Sequence, residues 1–218
     1  MANKTMKKVK AHTRYINEEG IQVPGVTTVL HILNKPALVR WANNLGLKGI
    51  DCTKYRDNMA DIGTIAHLMI LEHLSKRKQD LSEYSTSDID LAENCLISFF
   101  EWEKSNRVEP ILVEEPLISE KYQFGGTIDC YCRLNGVLTL LDFKTSKAVY
   151  DEMIHQVAAY TTLLEENGYQ VKNVRILRVG RSEDEGFEDR LCSRIETHWE
   201  IFSRCLDIYR LQKKLRGK

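Results

Sequence analysis

The sequence predicts an α/β (α+β) protein in which a central mixed β-sheet is flanked by helices. Strand-period segments cluster in the middle of the chain around one strong hairpin signal, helix-period segments lie on both sides of that cluster, and a further strand follows the second helical stretch. With 218 residues, 43% hydrophobic and 28% charged, the chain has ordinary globular composition and the length for one sizeable domain, 1–218, which excludes a disordered or collagen-like chain.

Up to about residue 108 the pattern is mostly helical. Residues 15–23 read as a small hairpin around Glu19-Gly20, Thr27 suits the cap of a short helix reaching Leu33, and another helix covers 37–44. Ile62, Ile65, Met69 and Leu74 recur at helical spacing around Gly63 and His67, which predicts a long helix over 55–76. Ser87-Asp88-Ile89-Asp90 fits a capping box, with Asp in place of Glu, ahead of an apolar face of Ala92, Leu96, Phe99 and Phe100. Strands are expected at 111–119, 127–134 and 137–144, the last two flanking Asn135-Gly136. A helix over 151–166 stops at Asn167-Gly168, a strand covers 174–179, and the acidic segment 182–189 reads as a loop. In the final helix, 195–214, Ile195, Trp199, Phe202, Leu206 and Tyr209 share one buried face.

Thirty-one Lys and Arg cancel thirty-one Asp and Glu, so no global field draws in a polyanion, and any nucleic-acid binding must use a local basic surface. Lys4, Lys7, Lys8 and Lys10 are followed by no apolar run, and no stretch approaches the roughly 18 apolar residues of a membrane span, so a cytoplasmic protein without membrane contact is expected. The six cysteines contain no C-x-x-C, which favours reduced thiols and no zinc site; Cys130 and Cys132 read as small buried hydrophobes.

The hairpin allows register to be computed. A turn on Asn135-Gly136 pairs residue i with residue 271 minus i, so Asp129 faces Asp142 on one sheet face, with Cβ atoms about 4.5–5.5 Å apart, where like charges repel. A divalent cation with a preference for hard oxygen ligands, Mg²⁺ or Mn²⁺, offsets that repulsion. Lys144, two residues on, shares the face of Asp142, while Phe143 points the other way. Two acids, a lysine and a metal suit phosphodiester hydrolysis, because the metal activates water and the lysine neutralises charge on the phosphate.

These residues also carry a resemblance. Glu115-Pro116, Gly126-Thr127-Ile128-Asp129, Asp142-Phe143-Lys144-Thr145-Ser146 and Gln156-x-x-x-Tyr160, in this order, resemble the PD-(D/E)XK nuclease superfamily, in particular its RecB-like exonuclease branch with its phage and prophage members. Gly63-Thr64-Ile65-Ala66-His67 is similar to that branch's G-x-x-x-H helix, and the run from Val23 to Leu30 followed by Trp41 is similar to the opening of phage members. The resemblance implies a restriction-endonuclease-like core over 109–218, with a helical part, 1–108, forming one cleft wall. It implies metal ligation by Asp129, Asp142, the main-chain carbonyl of Phe143 and His67, with one or two Mg²⁺ or Mn²⁺ ions; the imidazole favours Mn²⁺. Lys144 becomes the catalytic lysine, and Glu115 the further acid, although adjacent Glu114 competes for that place.

Gln156, Tyr160, Thr145, Ser146 and Lys147 become nucleic-acid contacts at the cleft rim, and Arg178 or Arg175 on the next strand contact phosphates. Only Cys192 and Cys205 lie downstream, thirteen apart, so no iron–sulfur cluster is expected. The activity implied is a metal-dependent DNA exonuclease acting on single- or double-stranded DNA with a free end, in phage or prophage recombination or replication, with a homo-oligomer compatible with the family. The alternatives are a structure-specific endonuclease, an RNA nuclease of the same fold, or an inactive nucleic-acid-binding module.

Overall fold

A computed structural model describes residues 13–33 and 35–217; Lys4, Lys7, Lys8 and Lys10 lie outside the described residues. A two-stranded ribbon, β1 (Tyr15–Ile16) and β2 (Gln22–Val23), is followed by α1 (Val26–Leu30), α2 (Pro36–Leu47), α3 (Cys52–Ser75) and α4 (Thr86–Glu103). Then come β3 (Val108–Ser119), β4 (Phe124–Leu134), β5 (Val137–Lys144), α5 (Asp151–Glu166), β6 (Asn173–Val179), β7 (Phe187–Leu191) and α6 (Ile195–Leu215).

Strands β3 to β7 form one sheet in sequence order. Only β5 and β6 run parallel, because α5 carries the chain back across the sheet between them; the other neighbours are antiparallel. This is the mixed sheet the sequence predicts. Asn135 and Gly136 both take positive φ, 51° and 85°, as a two-residue type I′ turn requires, and the paired residues Cys130↔Leu141 to Leu134↔Val137 all sum to 271.

Each face of the sheet has its own core. Leu140, Ile128 and Ile176 pack with Val157 and Leu163 of α5, Phe202 and Leu206 of α6, and Val29 of α1. On the other face Leu141, Phe143 and Leu177 pack with Ile65 and Ile70 of α3 and with Phe99 and Trp102 of α4, and the buried Cys130 and Cys132 belong there. Adjacent residues such as Leu140 and Leu141 thus serve opposite layers, the period-2 rule of a strand buried on both sides. No described helix is long and apolar enough to cross a membrane.

Several boundaries differ from expectation, β3 and β4 each starting three residues early, and three differences have a visible cause. Helix α3 starts earlier than residue 55 because Asp51 caps it, its carboxylate accepting the N–H groups of Thr53 and Lys54. The capping box of α4 lies at Ser85 rather than Ser87: the Ser85 hydroxyl accepts the Asp88 N–H and bonds its carboxylate. The acidic segment read as a loop runs into β7, whose acids form ion pairs with arginines on β6, Arg175–Asp189 at 2.7 Å and Arg178–Glu188 at 3.7 Å. Its charge is that of a paired edge strand.

Two expectations follow. Gly126 leaves no room for a side chain, since a Cβ would come within 2.6 Å of Tyr160 Cε1 and 3.1 Å of Leu163 Cδ1; Gly126→Ala should cost about 1–3 kcal/mol, read as a lower urea midpoint at unchanged slope. His155 meets His198, Nδ1 to Nδ1 at 2.8 Å, and burial together with that neighbour lowers its pKa, against the opposing pull of Asp151 and Glu152. A base with a depressed folded pKa contributes stability that is complete above its unfolded value of about 6.5 and is lost as pH falls, so thermal stability should drop more steeply from pH 7 to pH 5 in the natural protein than in His155→Gln.

Candidate active site

The β4–β5 ladder stops at Cys130↔Leu141. Had the register continued, Ile128 would have satisfied both the N–H and the C=O of Phe143; instead β4 parts from β5, and side chains replace the missing strand. Asp129 Oδ2 accepts the Phe143 N–H at 2.8 Å, and His67 of α3 reaches the Phe143 carbonyl oxygen with Nε2 at 2.9 Å. The same Nε2 lies 3.3 Å from Asp129 Oδ2, so imidazole, carboxylate and carbonyl converge on one point. The Phe143 ring, buried on the face of the sheet that α3 and α4 cover, stands edge-on to His67 and Phe99.

Asp142 lies on the α5 side of β5 and is fully buried. Its Oδ1 has no partner among the described residues, and its Oδ2 meets Lys144 Nζ at 2.5 Å, an ion pair whose angles fall short of a hydrogen bond. Desolvation pushes the Asp142 pKa up to about 6, with Lys144 pulling it back and the charge of Asp129 adding to the rise. Burial works against the Lys144 ammonium, but Asp142 and Asp129 together outweigh it and hold its pKa above the ordinary lysine value. The direct opposition of Asp129 and Asp142 expected from register is therefore replaced by a division of labour: Asp129 braces the Phe143 peptide while Asp142 pairs with Lys144.

Among the described residues no three His, Cys, Asp or Glu side chains form a closed metal cluster. The donors nevertheless fit a hard divalent cation in kind: two carboxylates, a main-chain carbonyl and one imidazole, with a buried carboxylate oxygen lacking a partner.

A cleft of about 1380 Å³ opens over this cluster, between α2 and α3 on one side and the end of β5 with the start of α5 on the other. His67, Phe143, Lys144, Thr145, Ser146 and Lys147 line it. Gly63 lines it too, and a Cβ there would lie 2.8 Å from Thr145 Oγ1, so glycine is what lets α3 approach β5 this closely.

Other expected contacts lie elsewhere. Glu114 lines the cleft and Glu115 does not; Glu114 takes φ of +54° opposite the departure of Asp129, which breaks the simple alternation on which a choice between them rests. Tyr160 is buried rather than at the rim: it packs on Gly126, receives a 2.8 Å bond from Gln156 Nε2, and burial raises its pKa well above the usual phenol value. Arg178 donates to the Glu185 carbonyl and Arg175 pairs with Asp189, so the two are committed to the β6–β7 edge and neither lines the cleft.

Arg181, Lys35, Arg56, Trp41 and Tyr150 also line the cleft, although the sequence reading had not singled them out as contacts. The signal for Arg181 was available: ligands gather beyond the carboxyl ends of parallel strands, and Arg181 follows β6 where Thr145 follows β5.

Among solved structures, the chain is similar to an alkaline exonuclease from Laribacter hongkongensis, with 14% sequence identity, a TM-score of 0.34 and coverage of 73% of this chain and 91% of that one. The same exonuclease in complex with dAMP matches at 15% identity and a TM-score of 0.33, with the same coverage. No family model and no curated protein sequence matches the chain.

The Asp142–Lys144 pair makes an expectation for stability. Without divalent metal, Lys144→Met leaves a buried carboxylate unpaired and should cost about 3 kcal/mol at pH 8. Lys144 holds the Asp142 pKa down to about 6, so without it Asp142 takes up a proton at higher pH, and the loss should shrink as pH falls from 8 towards about 6 and stay level below that. Urea titrations in EDTA at pH 5 and pH 8 measure both.

Proposed function

We propose that this protein is a metal-dependent DNA nuclease, an exonuclease acting on a strand with a free end, built as one unit in which the helical part to residue 108 forms a cleft wall. One observation carries the proposal: His67, which lines an open cleft, meets Asp129 and the Phe143 carbonyl, beside a buried Asp142 paired with the cleft-lining Lys144. Asp129, Asp142, the Phe143 carbonyl and His67 would hold Mg²⁺ or Mn²⁺. Such an ion supplies Lewis acidity and lowers the proton cost of making water a nucleophile.

The chain's own residues do the rest. Lys144, held cationic by two carboxylates, neutralises charge as it builds on the phosphate oxygens. Asp129 fixes the Phe143 peptide, and Glu114, which lines the cleft, is the acid that would orient water. Thr145 and Lys147 contact the strand backbone. The Ser146 hydroxyl is already donated to the Ala148 carbonyl at 2.7 Å, so it shapes the turn into α5. Gln156 and Tyr160 support the site from below, with Tyr160 filling the gap over Gly126.

The test is hydrolysis of end-labelled linear single- and double-stranded DNA beside a closed circle, in Mn²⁺, Mg²⁺ and EDTA. Linear DNA should be lost only with metal and the circle spared, and Lys144→Ala should lower the rate by about 10²–10³. Cleavage of the circle assigns an endonuclease instead. Binding without hydrolysis in either metal, or an Asp142→Ala variant of full activity, overturns the nuclease reading.

A further inference from the structure

Arg181 is a cation for which neither the fold nor the proposed reaction accounts. Its Nη1 lies 3.1 Å from Met59 Sδ and its Nη2 3.5 Å from Thr145 Oγ1, while Nε is buried with no hydrogen-bond partner among the described residues. A thioether and a distant hydroxyl are weak acceptors for a guanidinium. Glu185 Oε2 accepts the backbone N–H of Arg181 at 2.8 Å, and no described carboxylate forms an ion pair with the side chain. Its neighbours on the sheet differ: Arg175 pairs with Asp189, and Arg178 and Arg190 with Glu188. A guanidinium so poorly matched, at the wall of an open cleft, is arranged for an anion that enters from outside.

We propose that Arg181 and the Thr145 hydroxyl form a second phosphate subsite, which holds a backbone or terminal phosphate of the nucleic-acid strand apart from the phosphate at Lys144. This rests on the nuclease reading and adds a site to it. Its position follows from α3. Met59, Gly63 and His67, four residues apart, face Arg181, Thr145 and the Phe143 carbonyl in turn, so the subsite, between Thr145 and Arg181, lies about 6–12 Å along the helix from the His67 end. At about 3.4 Å of rise per nucleotide in a duplex, and more in an extended strand, the phosphate it takes is within about four nucleotides of the scissile one. The subsite therefore sets how a strand lies in the cleft relative to the point of cutting.

The test is binding of a short single-stranded oligonucleotide to the full chain by fluorescence anisotropy, with Ca²⁺ replacing Mg²⁺, over a series of salt concentrations. Arg181→Gln should bind about tenfold more weakly and lower the slope of log affinity against log salt by about 0.7, the share of one phosphate contact on a single strand. Arg181→Lys, which keeps the charge, should restore the slope. Removing a buried unpaired cation should leave the melting temperature of Arg181→Gln equal to or above that of the natural protein.

Oligonucleotides carrying one neutral methylphosphonate at successive linkages, or a hydroxyl in place of a terminal phosphate, then locate the contact. The natural protein should lose the same factor at one position, internal or terminal, where Arg181→Gln loses nothing more. An unchanged salt slope in Arg181→Gln overturns the subsite, as does a melting temperature well below that of the natural protein, which assigns Arg181 a structural role. Metal-dependent hydrolysis by the natural protein, run alongside, separates the two readings. Hydrolysis with an unchanged slope discards the subsite alone, whereas a changed slope without hydrolysis discards the nuclease and leaves a phosphate-binding cleft.

Discussion

The rest of this structure depends on the peptide unit of Phe143. Its N–H is taken by Asp129, its carbonyl by His67, and its ring is locked into the core shared by β5, α3 and α4. A strand residue ordinarily gives both backbone groups to its neighbour; here the neighbour has left, and an unmet buried N–H or C=O costs about 1–3 kcal/mol. Two side chains meet that need, and because they do, β4 is free to diverge and the cleft can open at the edge of an otherwise continuous sheet. The same demand binds the elements of the site together: α3 must come close enough for His67 to reach the carbonyl, and Gly63 is the residue that permits it.

Charge is organised with the same economy. The chain is neutral overall, and on β6 and β7 opposite charges are paired across the strands. The cleft departs from that rule. It holds a lysine kept cationic against burial and an arginine whose nearest contacts are weak acceptors, and beside it lies a buried carboxylate with one oxygen unpartnered. Such groups raise the energy of the empty protein and lower it again only when complementary charge arrives, the usual relation between a binding site and the stability it costs.

What the sequence made legible follows the range of the interaction involved. Asn135-Gly136 fixed the hairpin and its register because a type I′ turn is a two-residue event, and the faces of α3 and α6 were readable because a helix shows its own period. The displaced cap at Ser85 is a local ambiguity among several serines and acids. Strand β7 was hidden because its acidic residues look like a loop until the arginines of β6 lie beside them. Glu114 and Glu115 could not be separated by alternation, since a left-handed residue sits at that point of β3.

By itself, then, the sequence determined the mixed α/β class, the order and most bounds of the elements, the turn that sets the register, and the positions of the acids, lysine and histidine along them, all properties of short segments. Tertiary structure alone decided that β4 pairs with β5 only from Cys130 onwards, that Asp129 and Asp142 take separate partners, that Tyr160 is buried, and that Arg178 stays out of the cleft. These outcomes depend on which groups from distant segments compete for one backbone hydrogen bond or one counter-charge, and that competition is settled only when the layers pack.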